Sequence, residues 1–283
     1  MTEDLNQMQH PLGLQRLGYA GPLLELRAHQ LRDGATRERN EQIAEETPVV
    51  LVYNGIPHVV MMATPADLED FILGFSITEE LIRTPADLRD IKVVRYGQGI
   101  EVQATVPPEC EAVVATRSRR LTGRTGCGIC GTDSIDAVLK QLHTVPASAP
   151  FSPVAINTAL QAVVKHQTLN EAAGTVHAAA WARRDGTIDL VREDVGRHNA
   201  LDKLIGARLA RGVAPQDGFV IVTSRASFEM VQKTTVLGAP LLVAISGPTG
   251  LAVRLAEQAG LTLVGFARGD RLTVYTHPEQ LSL

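Results

Sequence analysis

Apolar and polar positions alternate most regularly in the last third of the chain. Apolar runs at Phe219 to Thr223, Leu241 to Ile245, Leu261 to Ala267 and Leu272 to Tyr275 predict strands. Ser227 to Leu237 and Thr249 to Gln258 predict helices between them. Fully apolar strands alternating with helices imply a parallel or mixed sheet covered on both faces. Upstream, Thr175 to Ala182 and Thr187 to Arg192 read as a hairpin turning at Asp185-Gly186. Arg197 to Arg211 reads as a helix with Leu201, Leu204, Ile205 and Leu209 on its apolar side. A further helix is expected from about Pro153 to Leu169, after a proline-rich linker from Pro146.

The first half is less regular. Val49 to Tyr53 and Pro57 to Met62 form an expected hairpin around Asn54-Gly55. Thr64-Pro65-Ala66-Asp67 predicts a helix start with Thr64 as cap, and Leu68, Phe71, Ile72 and Phe75 as the buried face. Thr84-Pro85-Ala86-Asp87 is a second helix-start signal. Ile91 to Tyr96 and Ile100 to Val106 suggest a second hairpin, and Arg32 to Glu46 reads as a polar surface loop or turn. The expected organisation is a loose N-terminus over residues 1–21, a smaller α+β part over 22–116, a cysteine loop with its following helix over 117–145, and an α/β domain over 146–283.

Composition narrows the class. Apolar residues make up 45% of the 283 and charged residues 20%, an ordinary globular balance. A net charge of -4 gives no case for nucleic acid. The start, Met1-Thr2-Glu3-Asp4, is acidic, unlike a secretory signal. The strongly apolar stretch from Ala239 to Ile245 falls far short of the ~18 residues of a membrane span. A cytoplasmic protein without membrane contact is expected. Three cysteines, an odd number, argue against a disulfide scaffold and for reduced thiols.

The chemistry concentrates at Gly126-Cys127-Gly128-Ile129-Cys130-Gly131. Glycines leave the two thiols open to close approach by a partner. Arg117, Arg119, Arg120 and Arg124 precede them, and a helix is expected to follow, with Ile135, Val138, Leu139 and Leu142 on one face. Positive charge and a helix N-terminus both favour the thiolate, the reactive form of cysteine. Structural zinc would need two more ligands, for which Cys110 and His143 are candidates. A thioredoxin-like redox pair is the other open reading. Zinc deaminase chemistry fits poorly: His177-Ala178-Ala179 lacks the glutamate, and the cysteine pair precedes it.

Other polar groups stand at strand ends. Ser224-Arg225, Ser246-Gly247-Pro248-Thr249-Gly250 and Arg268-Gly269-Asp270-Arg271 follow predicted strands, where α/β sheets bind ligands. Backbone N–H groups and arginines there suit phosphate, although no nucleotide fingerprint is present. In Glu193-Asp194-Val195-Gly196-Arg197-His198-Asn199, Asp194 reads as a helix cap and His198 as its satisfied neighbour. Alternatively Arg197, His198 and Lys203 contact an anion or support the cysteine loop.

Together these segments resemble the formate dehydrogenase accessory sulfurtransferases. The resemblance rests on Met61-Met62-Ala63-Thr64-Pro65 with Gly74-Phe75, on Cys127-Gly128-Ile129-Cys130-Gly131, and on Arg192 to Lys203. It continues through Phe228 to Lys233 and Gly265 to Arg271. It implies sulfur taken from a cysteine desulfurase as a persulfide and delivered to the molybdenum or tungsten of a bis(molybdopterin guanine dinucleotide) cofactor, for formate dehydrogenase. Cys127 would carry the sulfur and Cys130 assist. Phe266, Ala267, Arg268, Gly269, Asp270 and Arg271 would contact the cofactor, which is a bound substrate; no tightly bound catalytic metal is expected. The implied fold is a three-layer α-β-α arrangement, a cytidine deaminase-like mixed sheet without zinc, and the implied state a homodimer. The competing reading is a chaperone that holds the cofactor while the cysteines serve docking or structure.

Overall fold

The computed structural model of the chain describes residues 21–96, 99–121, 142–212 and 215–282. Cys127, Cys130 and residues 1–20 of the N-terminus expected to be loose lie outside them, as does the helix expected after the cysteines, save Leu142. The described residues form a mixed α/β fold with three sheets of two, four and six strands.

Strands β1 (Leu23–Arg32) and β2 (Ala35–Ala44) pair antiparallel along their whole length. They turn at Asp33 and Gly34, whose φ angles of 51° and 75° are those an Asp-Gly hairpin requires. The stretch from Arg32 to Glu46, expected as a surface loop or turn, is therefore the turn and second strand of a ribbon. Most of its residues are exposed on both faces, so no apolar alternation marks it.

The four-stranded sheet contains β3 (Thr47–Tyr53), β4 (Ile56–Ala63), β5 (Arg89–Tyr96) and β6 (Gly99–Thr105), in the order β4-β3-β6-β5. Asn54-Gly55 turns β3 into β4 as predicted, with φ of 49° and 77°. Helix α1 (Leu68–Thr78) packs on this sheet, burying Leu68, Phe71, Ile72 and Phe75 against Val49, Leu51, Ile100 and Val102. Thr64 does not cap it. The helix begins at Leu68, after Asp67 in a left-handed conformation, and Thr64 is fully buried with its hydroxyl accepting the Val195 N–H. At Thr84 the second start signal yields only a 3-10 turn, Pro85–Asp87, because β5 begins at Arg89. Helix α2 (Pro108–Leu121) has no counterpart in the apolar pattern; Cys110 and Val114 are its buried apolar residues among those described. Arg117 stands on this helix.

Helices α3 (Pro153–Val163) and α4 (Thr168–Ala173) replace the single helix expected over Pro153 to Leu169, and a 3-10 turn, Val164–His166, divides them. The six-stranded sheet follows, from β7 (His177–Arg183), β8 (Ile188–Asp194), β9 (Gly218–Val222), β10 (Leu241–Ala244), β11 (Thr262–Arg268) and β12 (Arg271–Thr276). Its order is β12-β11-β10-β9-β7-β8, with β9, β10 and β11 parallel and the other pairs antiparallel. Helices α5 (Arg197–Ala210), α6 (Phe228–Leu237) and α7 (Gly250–Ala259) pack on one face, over Trp181, Val220, Val222, Leu242 and Leu263. Helix α3 packs on the other, through Ile156, Ala159, Leu160 and Val163 over Phe219, Ile221, Val243 and Val264. Both faces are covered, which is why β9 and β10 are buried throughout.

The two larger sheets meet where α1 crosses α5. Gly74 and Gly206 allow the close approach: a Cβ on Gly74 would overlap the Asp202 carbonyl, and one on Gly206 the Asp70 carbonyl. Buried charges cross the same seam. Lys203 Nζ pairs with Asp194 Oδ2 at 2.7 Å and donates to the Thr64 carbonyl at 2.9 Å. Lys233 Nζ reaches Asp202 Oδ1 at 2.9 Å, Thr78 Oγ1 at 2.8 Å and Glu79 Oε1 at 3.3 Å. Burial alone would lower the Lys233 pKa, but Asp202 and Glu79 outweigh it and hold it above its ordinary value. Arg192 adds a partly exposed pair with Asp70 at 2.7 Å.

Candidate functional site

The carboxyl ends of β9, β10 and β11 share one edge of the six-stranded sheet. Antiparallel pairing puts the start of β7 and the end of β8 on that edge too. Helices α5, α6 and α7 each begin there, so three helix N-termini with their positive dipole ends gather at one rim.

The three polar strand ends picked out in the sequence come together at this rim. Ala226 bridges Pro248, which joins the loop after β9 to the loop after β10. The Phe266 N–H donates to the Ser246 carbonyl at 3.1 Å, which joins β11 to both. Phe266 has φ of 50°, strained for a side-chain-bearing residue, and the register slips between Gly265 and Arg268. The result is an aromatic ring left 45% exposed and seated on Gly247, where a Cβ would lie 2.5 Å from the ring. Arg268, Gly269, Asp270 and Arg271 form the exposed tip of the β11–β12 hairpin beside it. Ala267 points the other way, into the core. Five of the six residues expected at the cofactor thus share one exposed tip, and the sixth packs beneath it.

A second cluster sits at the start of α5. His198 Nε2 lies 2.7 Å from Glu229 Oε2, on the first turn of α6. Burial would raise the Glu229 carboxyl, but His198, Lys233 and Arg197 outweigh it and hold it below its usual range. His177 is nearby; burial lowers its pKa first, and Arg197 and His198 lower it further. The Arg197 Nε is buried and has no acceptor among the described residues. Arg197, Arg225, Arg268 and Arg271 are among the guanidinium groups this edge can offer to phosphates.

Lys203 does not reach this edge. It is fully buried against Asp194, so of the three expected anion contacts only Arg197 and His198 stand at the edge. Asp194 steadies the start of α5 by accepting the Gly196 N–H at 2.7 Å and the Asn199 amide at 3.0 Å, although Gly196 is the N-cap itself. The sequence marked out His198 but not its partner Glu229, which has no local signal. Cys110 is buried in the N-terminal core, where burial pushes its thiol pKa up. His143 pairs with Glu80 at 3.3 Å. Among the described residues no group of three or more His, Cys, Asp or Glu side chains could hold a metal ion, and no helix is long and apolar enough to cross a membrane.

Fold and edge together define a mixed α/β protein whose sheet rim offers an exposed aromatic ring, helix N-termini and arginines. The chain belongs to the FdhD/NarQ family, whose profile matches residues 44–282. A protein named sulfur carrier protein FdhD from Bordetella petrii is 49% identical over 245 residues, covering 87% of this chain and 88% of the relative. Its namesake from Cupriavidus necator is 51% identical over 241 residues, covering 85% and 84%. A solved structure described as a formate dehydrogenase accessory protein from Desulfotalea psychrophila superposes with a TM-score of 0.72, covering 92% of this chain and 99% of that one. At 24% identity it speaks for the fold alone.

Proposed function

We propose that this protein is a sulfur carrier serving formate dehydrogenase. It accepts sulfur from a cysteine desulfurase as a persulfide on Cys127. It delivers that sulfur to the molybdenum or tungsten of a bis(molybdopterin guanine dinucleotide) cofactor, which is its substrate. The names of relatives near 50% identity support the carrier role. The observation that carries the cofactor half is Phe266, an exposed ring held in a strained backbone beside arginines and helix N-termini. An aromatic surface next to anion-binding groups suits a guanine dinucleotide. The same reading takes the protein as a cytoplasmic homodimer with a C-terminal sheet of the cytidine deaminase type.

The chemistry balances with the two thiols. The Cys127 thiolate attacks the terminal sulfur of the desulfurase persulfide; that S–S bond breaks, a new one forms on Cys127, and the donor leaves as thiolate. For delivery, the Cys130 thiolate attacks the Cys127 sulfur. A disulfide forms between the two, and the terminal sulfur departs to the metal as sulfide, carrying the electron pair. Cys127 is thus the carrier and Cys130 the supporting thiol.

Intact-protein mass after incubation with a cysteine desulfurase and cysteine tests this. Wild type should gain about one sulfur, reversibly with reductant, and Cys127→Ala should not. Cys130→Ala should load but not deliver. A Cys127→Ala variant that still activates formate dehydrogenase would replace this reading with that of a cofactor chaperone.

A further inference from the structure

We infer that Glu80 is a positioning residue that fixes both ends of the cysteine-bearing segment. The inference rests on the sulfur-carrier reading. Glu80 Oε2 lies 3.4 Å from Arg117 Nη2, and Glu80 Oε1 lies 3.3 Å from His143 Nε2. Arg117 precedes Cys127 and Cys130 in the chain, and His143 follows them. A single carboxylate therefore receives one side chain from each side of the segment. Arg117 is held a second time, donating to the Glu79 carbonyl.

The backbone at Glu80 points the same way. Helix α1 ends at Thr78, Glu79 is its C-cap, and Glu80 follows with φ of 53°. This is the left-handed position after a helix, which favours glycine and strains glutamate. Glycine would suit the main chain better, but it would take away the carboxylate that Arg117 and His143 share. The neighbouring Glu79 side chain reaches Lys233 at 3.3 Å, and Lys233 is held by Asp202 at 2.9 Å. Two consecutive glutamates thus tie the departure points of the segment to the seam between the two larger sheets.

A carrier must present one thiol to two partners in turn. Holding Arg117 and His143 on one carboxylate fixes the two flanks between which the thiol-bearing stretch runs, and so the side of the protein that presents it. Loading by a freely diffusing desulfurase depends on this less than delivery to a cofactor bound on the same protein.

Glu80→Gly separates this role from a structural one, because it relieves the backbone while removing the carboxylate. Its unfolding midpoint should equal or exceed that of wild type. Spin labels on Thr116→Cys and Thr144→Cys, with Cys127 and Cys130 replaced by serine, should show a broader distance distribution when Glu80→Gly is added. In the otherwise native protein, persulfide loading should stay within about twofold. Activation of formate dehydrogenase should fall about fivefold or more, the scale of losing one partly exposed ion pair and one hydrogen bond together. Glu80→Arg combined with Arg117→Glu should recover part of both the distance and the activation. An unchanged label distribution, or full activation by Glu80→Gly, overturns the inference. Absence of persulfide on the wild-type protein would instead overturn the carrier reading, and the label distances would still judge the tether.

Discussion

Lys203 Nζ lies 2.7 Å from Asp194 Oδ2, and neither side chain has any exposure to solvent. Lys203 stands on α5 and Asp194 at the end of β8, yet their shared neighbour, Thr64, belongs to the first half of the chain. The pair therefore fastens the two larger sheets to each other. Removing one partner leaves a buried charge without compensation, which costs about 3–5 kcal/mol. Lys203→Met should lower the unfolding free energy by that much in a urea titration. A loss under about 1 kcal/mol would mean that water or a shifted side chain solvates Asp194.

Gly206→Ala tests the helix crossing. The added methyl group would overlap the Asp70 carbonyl, which is backbone and cannot rotate away. The helices must separate, at a cost of about 3 kcal/mol, the upper end of ordinary overpacking. Thermal unfolding should show a clear drop. An alanine tolerated without loss would refute the close approach of α1 and α5.

His58 sets a pH dependence. It is buried in the N-terminal core with its Nδ1 2.7 Å from Ser118 Oγ, and burial lowers its pKa from the ordinary 6.5 to about 4. Between these values the unfolded chain binds a proton that the folded one does not. Stability therefore falls as pH drops from 6.5 toward 4, by roughly 3 kcal/mol from this residue. His58→Phe, beside Tyr53 and Phe75, should flatten that part of the stability curve. An identical curve in the variant would assign the acid sensitivity elsewhere.

Phe266→Leu tests the rim. Leucine keeps a β-carbon and comparable bulk but loses the ring face. GDP, a fragment of the proposed cofactor, should bind about tenfold more weakly, the scale of one lost aromatic stack. The unfolding midpoint should move little, because the ring is 45% exposed. Equal affinities for the two proteins would remove Phe266 from the ligand site.

Local signals carried much of this architecture. The alternation from Phe219 to Tyr275 gave β9 through β12 and both helices between them, and Asn54-Gly55 gave the β3–β4 turn. The β1–β2 ribbon escaped because it is wet on both faces; Asp33-Gly34 alone betrays it. Helix α2 escaped because its sequence is mostly polar, and Arg117 looked like part of the loop. The seam escaped for a different reason. Thr64 resembles a helix cap, and Lys203 resembles an anion contact, until each meets a partner far away in the chain. Of the candidate site, the polar strand ends were legible from the residues, while Phe266 was singled out through the family resemblance. Glu229 and Glu80 were not, since each acts only across space on groups from other elements.

The seam also governs the order of events during synthesis. The chain emerges from the ribosome N-terminus first, so Thr64, Asp70, Thr78 and Glu79 appear long before Asp194, Lys203 and Lys233. Until then the face of α1 that will meet α5 has no cover, and Gly74 has no helix to receive. The four-stranded sheet can form early, but its docking surface stays open through much of translation. Nascent chains stalled before Lys233 should therefore be the ones that need a chaperone's protection, and release beyond it the step that ends the need.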